Sequence, residues 1–187
     1  MSRSSVLFIA LVATGIAAAG CRDAAPVESG TAQLHAHSMS SGPVALSSGA
    51  ERDVARLRAV TARFQRFEVA VAEGWGTKIT ECFENAQLGG MGFHYGNTAY
   101  IDGAVDVEQP ELLLYEPQKN GRMRLVAVEY IVPFTAWTSS EPPRLYGQSF
   151  MRNEAFGIWA LHVWHERHNP RGIFADWNPN VNCDNAQ

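Results

Sequence analysis

The sequence predicts an α+β domain: one N-terminal amphipathic helix packed on a small antiparallel sheet with long irregular loops. Two observations carry that prediction. One long stretch repeats apolar residues every three or four positions, whereas the later apolar runs are short, rich in β-branched and aromatic residues and broken by Gly, Pro and Asn. A turn signal between two of those runs makes their pairing antiparallel.

The helix is expected over residues 49–73. Ser48 and Glu51 have capping-box spacing, Val54, Leu57, Val60, Phe64, Phe67 and Val71 form the apolar stripe, and Gly74 supplies a stop. Arg52, Arg56, Arg58, Arg63 and Arg66 fall off that stripe and read as a solvated face. Residues 112–116 and 124–132 are strands, joined by a turn containing Asn120 and Gly121. Residues 158–164 alternate as a third strand, which the β-branched and aromatic content and the following Pro170 favour over a helix. Asn169-Pro170-Arg171-Gly172 and Trp177-Asn178-Pro179 are turns that fold the tail back.

Ahead of the domain, Arg3 precedes an apolar run over residues 6–19 and then Ala18-Ala19-Gly20-Cys21. That order is an export signal, and about fourteen apolar residues fall short of the roughly 20 that a spanning helix needs. Small residues running straight into a cysteine resemble the lipobox of bacterial lipoproteins. The resemblance implies removal of residues 1–20 and acylation of Cys21, with palmitate-type chains holding the protein to a membrane. Ala18 stands where the lipobox usually has leucine, so a plain secretory cut near Ala19 that leaves Cys21 free is the alternative. Arg22, not Asp, follows the cysteine, and in that sorting pattern this points to the periplasmic face of the outer membrane. Residues 21–48, rich in Ala, Ser, Gly and Thr, read as a flexible tether, with residues 49–187 as a single globular domain. His35 and His37 in the tether are either solvated or a loose metal-binding pair.

Composition sets further bounds. A 46% hydrophobic fraction with nine Phe, five Tyr and five Trp is enough for a core. A net charge of −4 gives no electrostatic reason to expect nucleic acid as a partner. With Cys21 assigned to lipid, Cys82 and Cys183 form an even remainder that suggests a disulfide in an exported chain, or else two thiolate ligands.

Three residues could carry chemistry. His94 lies among four glycines within residues 89–96, read as an irregular loop that holds it as ligand or acid/base, or else as a tight crossing in which it bonds the backbone. In the run His162, His165, Glu166 and His168, the spacing fails the His-Glu-x-x-His zinc-protease pattern, but His162 shares a strand face with Ile158, Ala160 and Trp164 and points inward. Glu129 shares its expected face with Leu125, Ala127 and Ile131, so its carboxylate needs water or a partner; Glu116 is expected near it across the turn. His94, Glu129 and His162 are the ligand types of a Zn, Fe or Mn site, and a buried ion pair around Glu129 would account for them equally. There is no Gly-x-Ser-x-Gly elbow, nucleotide-binding glycine pattern or Cys-x-x-Cys. Trp159, Trp164 and Trp177, crowded with Tyr146, Phe150, Phe156 and Phe174, read as core.

The segments Gly89-Gly90-Met91-Gly92-Phe93-His94-Tyr95, Pro110-Glu111-Leu112-Leu113-Leu114-Tyr115-Glu116-Pro117, Leu125-Val126-Ala127-Val128-Glu129-Tyr130 and Ala160-Leu161-His162-Val163-Trp164, with the later Asn169-Pro170 and Asp176-Trp177-Asn178-Pro179, resemble a group of exported bacterial proteins without an established activity. The similarity spans residues 55–183, implies a bacterial envelope domain and carries over no catalytic residue. The function expected is a lipid-anchored envelope protein that binds a small ligand or metal ion without turnover. The alternatives are an envelope hydrolase using His94 or His162 with Glu129, and an accessory protein that docks another envelope component through exposed C-terminal aromatics.

Overall fold

The computed structural model describes residues 45–186, so the export signal, Cys21, and the tether histidines His35 and His37 lie outside the described residues. Helix α1 spans Ser48–Thr61. Its cap is Ser47, one residue before the expected Ser48: the Ser47 hydroxyl accepts from the Ala50 N–H at 3.2 Å. The helix does not run unbroken to Glu73. After Thr61 come a 3₁₀ turn over Ala62–Gln65, an extended Arg66 and a second helix, α2, Phe67–Ala72. Two side chains account for the break. The Thr61 hydroxyl donates back to the Leu57 carbonyl at 2.7 Å, a bond that bends helices, and the Tyr115 hydroxyl donates to the Phe64 carbonyl at 2.8 Å, taking it out of the helical ladder.

Eight strands follow: β1 Thr77–Asn85, β2 Gly89–Gly96, β3 Leu112–Pro117, β4 Met123–Pro133, β5 Arg144–Leu145, β6 Gln148–Ser149, β7 Met151–Asn153 and β8 Ile158–Val163. Six build one antiparallel sheet in the order β1-β2-β3-β4-β8-β7, and β5 with β6 forms a separate small hairpin. The architecture is thus mixed helix and sheet, with a larger sheet than expected. Among the described residues, no helix is long and apolar enough to cross a membrane.

The sheet is apolar on both faces. Leu113, Tyr115, Val128, Tyr130, Val132, Leu161 and Val163 pack with Val54, Leu57 and Phe64 of the helical segments, while Leu112, Leu114, Ala127, Ile131 and Ala160 face the other way beside Trp164 and Val181. A bulge in β4 adjusts this pattern. Leu114 pairs with Ala127 but Tyr115 pairs with Leu125, so Val126 is the extra residue, and its carbonyl accepts from the N–H groups of Glu166 and Arg167. Leu125 is therefore turned to the helix side, away from the face it was expected to share with Glu129.

The glycine-rich segment is strand β2, not an irregular loop. Its glycines permit close crossings: at Gly92, with φ at 86°, a Cβ would sit 2.4 Å from the Tyr115 carbonyl oxygen. The C-terminal tail crosses the same strand, where Gly90 and Asn178 exchange two backbone hydrogen bonds of 3.1 Å. Cys82 and Cys183 are joined in a disulfide with their Cα atoms 5.9 Å apart, which fixes that tail to β1 and excludes the thiolate-ligand alternative.

Candidate metal centre

Three ligand-type side chains meet on the sheet face opposite the helices. In the β4–β8 ladder Glu129 stands directly across from His162, and in the β3–β4 ladder across from Leu112. Leu112 is across from Gly96 on β2, two residues along from His94, so all three side chains emerge on one face. His94 and Glu129 lie on strands two positions apart, roughly 10 Å in a flat sheet. Their long side chains span that gap across β3: His94 Nε2 is 3.5 Å from Glu129 Oε2. His162 Nε2 is 3.8 Å from Glu129 Oε1, and one ligand atom from each of the three residues lies within 4.8 Å of the others. His94, Glu129 and His162 are all buried.

Each imidazole turns Nε2 toward Glu129 and Nδ1 toward a second polar group. His94 Nδ1 is 2.9 Å from the Thr80 hydroxyl, and His162 Nδ1 is 3.6 Å from Asp176 Oδ1. A tautomer protonated at Nδ1 leaves the Nε2 lone pair free on both rings. Metal-binding histidines are oriented by hydroxyl, carbonyl or carboxylate groups behind them, as Thr80 does for His94, whereas Asp176 stops short of bonding His162. Trp164 stacks nearly parallel to the His162 ring, at an interplanar angle of 10°.

Distance separates the two readings of this cluster. A charge-assisted hydrogen bond closes to about 2.7–2.9 Å, so gaps of 3.5 and 3.8 Å leave the carboxylate and imidazoles short of one. Neither ring nitrogen of His162 has a hydrogen-bond partner although both are buried. An orphaned buried polar atom is costly, on the order of 1–3 kcal/mol. Two ligands on a tetrahedral ion with bonds of about 2.0–2.1 Å stand roughly 3.4 Å apart, near the two imidazole–carboxylate gaps, while the one-atom-per-residue set, within 4.8 Å, would draw together on an ion.

The electrostatics agree with ligand duty. Burial, reinforced by the neighbouring His162, pushes His94 down to about 3, so its imidazole is neutral at ordinary pH. For His162, burial works downward but the carboxylates of Glu129 and Asp176 outweigh it, and the net direction is up. Burial raises Glu129, with His162 opposing and Asp176 adding to the rise. Both Glu129 and His162 are thus biased toward their protonated forms while no metal is bound.

A cavity of about 390 Å³ opens beside the three residues, lined by Ile79, Thr80, Phe83, Met91, Leu112, Ile131, Asn153, Phe156, Ile158 and Trp177. Large apolar side chains stand at its rim: Phe156 is 58% exposed, Ile79 42% and Phe83 36%. The other aromatics of the C-terminal third, Tyr146, Phe150, Trp159, Trp164, Phe174 and Trp177, are buried or half-buried, as expected of core.

Of the sequence candidates, His94, Glu129 and His162 come together and the rest do not. Glu116 pairs across from Arg124, four residues along β3 from Leu112, and its carboxylate accepts from the Asn182 N–H. His165 faces the helices, where its Nε2 meets the Thr61 hydroxyl at 2.9 Å. His168 is exposed. Thr80 and Asp176 were not recognised from sequence. Thr80 sits in a polar strand without clear alternation, and Asp176 in an irregular tail; the tail turns and the disulfide were the available signals that residues near 176 return to the sheet. No protein-family model, curated protein or solved structure matches this chain.

Proposed function

We propose that this protein is a lipid-anchored envelope protein whose domain holds a divalent transition metal, Zn, Fe or Mn, on His94, Glu129 and His162. The observation that carries the proposal is the orphaned His162 ring, whose Nε2 faces a carboxylate too distant to bond it. Two imidazoles and one carboxylate suit any of these three ions. When bound, the metal would supply an electrophilic centre with coordination positions open to the cavity.

The anchoring part rests on Cys21 and its resemblance to a lipobox, with membrane attachment and the periplasmic face of the outer membrane following from it. The disulfide supports an oxidising compartment. In the mature chain the helical segments form the N-terminal cover of the sheet. The likeness to exported bacterial proteins belongs to the same reading.

A hydrolase is the second reading, favoured by the cavity beside the histidines. His94 is a poor general base at a pKa of about 3, so catalysis would fall to His162 with Glu129. Hydrolysis of a chromogenic ester that stops on His162→Asn would support that reading.

The test of metal binding is a melt of chelator-treated full-length protein with added Zn²⁺, Fe²⁺ or Mn²⁺. At a hundredfold excess over Kd, binding adds about 2.7 kcal/mol of stability. In a domain of this size that raises Tm by roughly 5–10 °C. A melting point unmoved by all three ions would remove the proposal.

A further inference from the structure

We infer that the cavity beside the metal centre takes a small monoanion with an apolar body, such as an aromatic or aliphatic monocarboxylate, with its head group on the metal. The inference rests on the metal reading and names the ligand class of that site.

Charge selects the head group. A divalent ion with two neutral imidazoles and the single Glu129 carboxylate leaves one positive charge in a buried shell. Asp176, 3.6 Å behind His162 and 39% exposed, offsets part of that charge from outside the ligand set, and solvent weakens its effect there. One anionic oxygen donor neutralises the shell. Among the described residues no Lys or Arg lines the cavity, so a dianion or a phosphate would bury a second charge without a partner.

The walls select the body. Phe83, Met91, Ile131 and Phe156 are apolar; Thr80 is engaged with His94 and the Asn153 side-chain oxygen with the Phe156 N–H, which leaves only the Asn153 amide and the Trp177 indole N–H as donors among the lining residues beyond the ligand set. A sugar or peptide would find few hydrogen-bond partners there. Phe83 and Phe156 approach each other at the mouth with ring centroids 6.4 Å apart, although both stay substantially exposed. Exposed apolar rings at a cavity rim are what a ligand's apolar body would cover. About 390 Å³ lies within the range of small-molecule pockets, roughly 300–1,000 Å³.

The test uses full-length protein loaded with Co²⁺, whose visible absorption reports its ligands, titrated separately with phenylacetate, acetate and phenylacetamide. Phenylacetate is expected to alter the spectrum saturably and bind at least tenfold more tightly than acetate, which lacks the ring, and than phenylacetamide, which lacks the charge. Phe156→Ser should narrow the phenylacetate-to-acetate ratio at least threefold. A cobalt spectrum indifferent to phenylacetate, equal affinity for the three probes, or a ratio unchanged in Phe156→Ser would overturn the inference while leaving the metal site standing. Failure of Co²⁺ to bind would refute the metal reading and this inference with it.

Discussion

Metal loading at this centre should release protons from Glu129 and His162 near pH 5.5, and none from His94. His94 is already neutral there, because burial holds it down to about 3. His162 and Glu129 are both shifted upward, so below the ordinary histidine value of about 6.5 each is biased toward its protonated form. A divalent ion needs the carboxylate ionised and the imidazole neutral, and so displaces the protons they hold. The sign follows from the upward shifts: the metal-free site keeps its protons at low pH, so metal affinity climbs with pH and levels off once both groups are deprotonated. Each proton displaced adds a factor of ten per pH unit, about 1.4 kcal/mol. Calorimetric titration with Zn²⁺ at pH 5.5, in buffers of different ionisation enthalpy, counts the protons directly. Release of no proton, or of more than two, would refute this description of the site.

Two further outcomes concern the frame around the centre. Cys82→Ser with Cys183→Ser opens a loop closed over a sequence separation of 101, and urea unfolding should show a loss of about 4–5 kcal/mol by the chain-entropy relation; a loss below about 1 kcal/mol would contradict it. His165, pushed down to about 4 mainly by burial, takes up its proton near 6.5 only when the chain unfolds. Metal-free wild type should therefore lose stability relative to His165→Gln as pH falls from 6.5 toward 4, by about 1.4 kcal/mol per pH unit, and a difference constant across that range would count against it.

The parts of the fold legible in sequence were those with an uninterrupted period. Strands β3, β4 and β8 are dense in β-branched and aromatic side chains, and the Asn120-Gly121 turn forms between β3 and β4 with Gly121 at φ 75°. Strand β2 was hidden because its glycines remove the alternating side chains that mark a strand. The break in the helix and the bulge at Val126 were hidden because both depend on distant partners, the Tyr115 hydroxyl and the N–H groups of Glu166 and Arg167. At the site, Glu129 and His162 were legible as polar residues on apolar strand faces. Their juxtaposition with His94 depends on the order and register of β2, β3, β4 and β8, which no local pattern encodes. Thr80 and Asp176 act behind the histidines and carry no spacing signature.

The most direct test of the metal centre is the metal content of full-length protein after loading with Zn²⁺ and exhaustive dialysis, measured beside Glu129→Gln and His162→Asn. The wild type should keep about one ion per chain, and each variant should lose most of it, consistent with an affinity fall of more than about 100-fold. A wild type that retains no ion, or variants that retain as much as the wild type, would contradict the assignment of these residues.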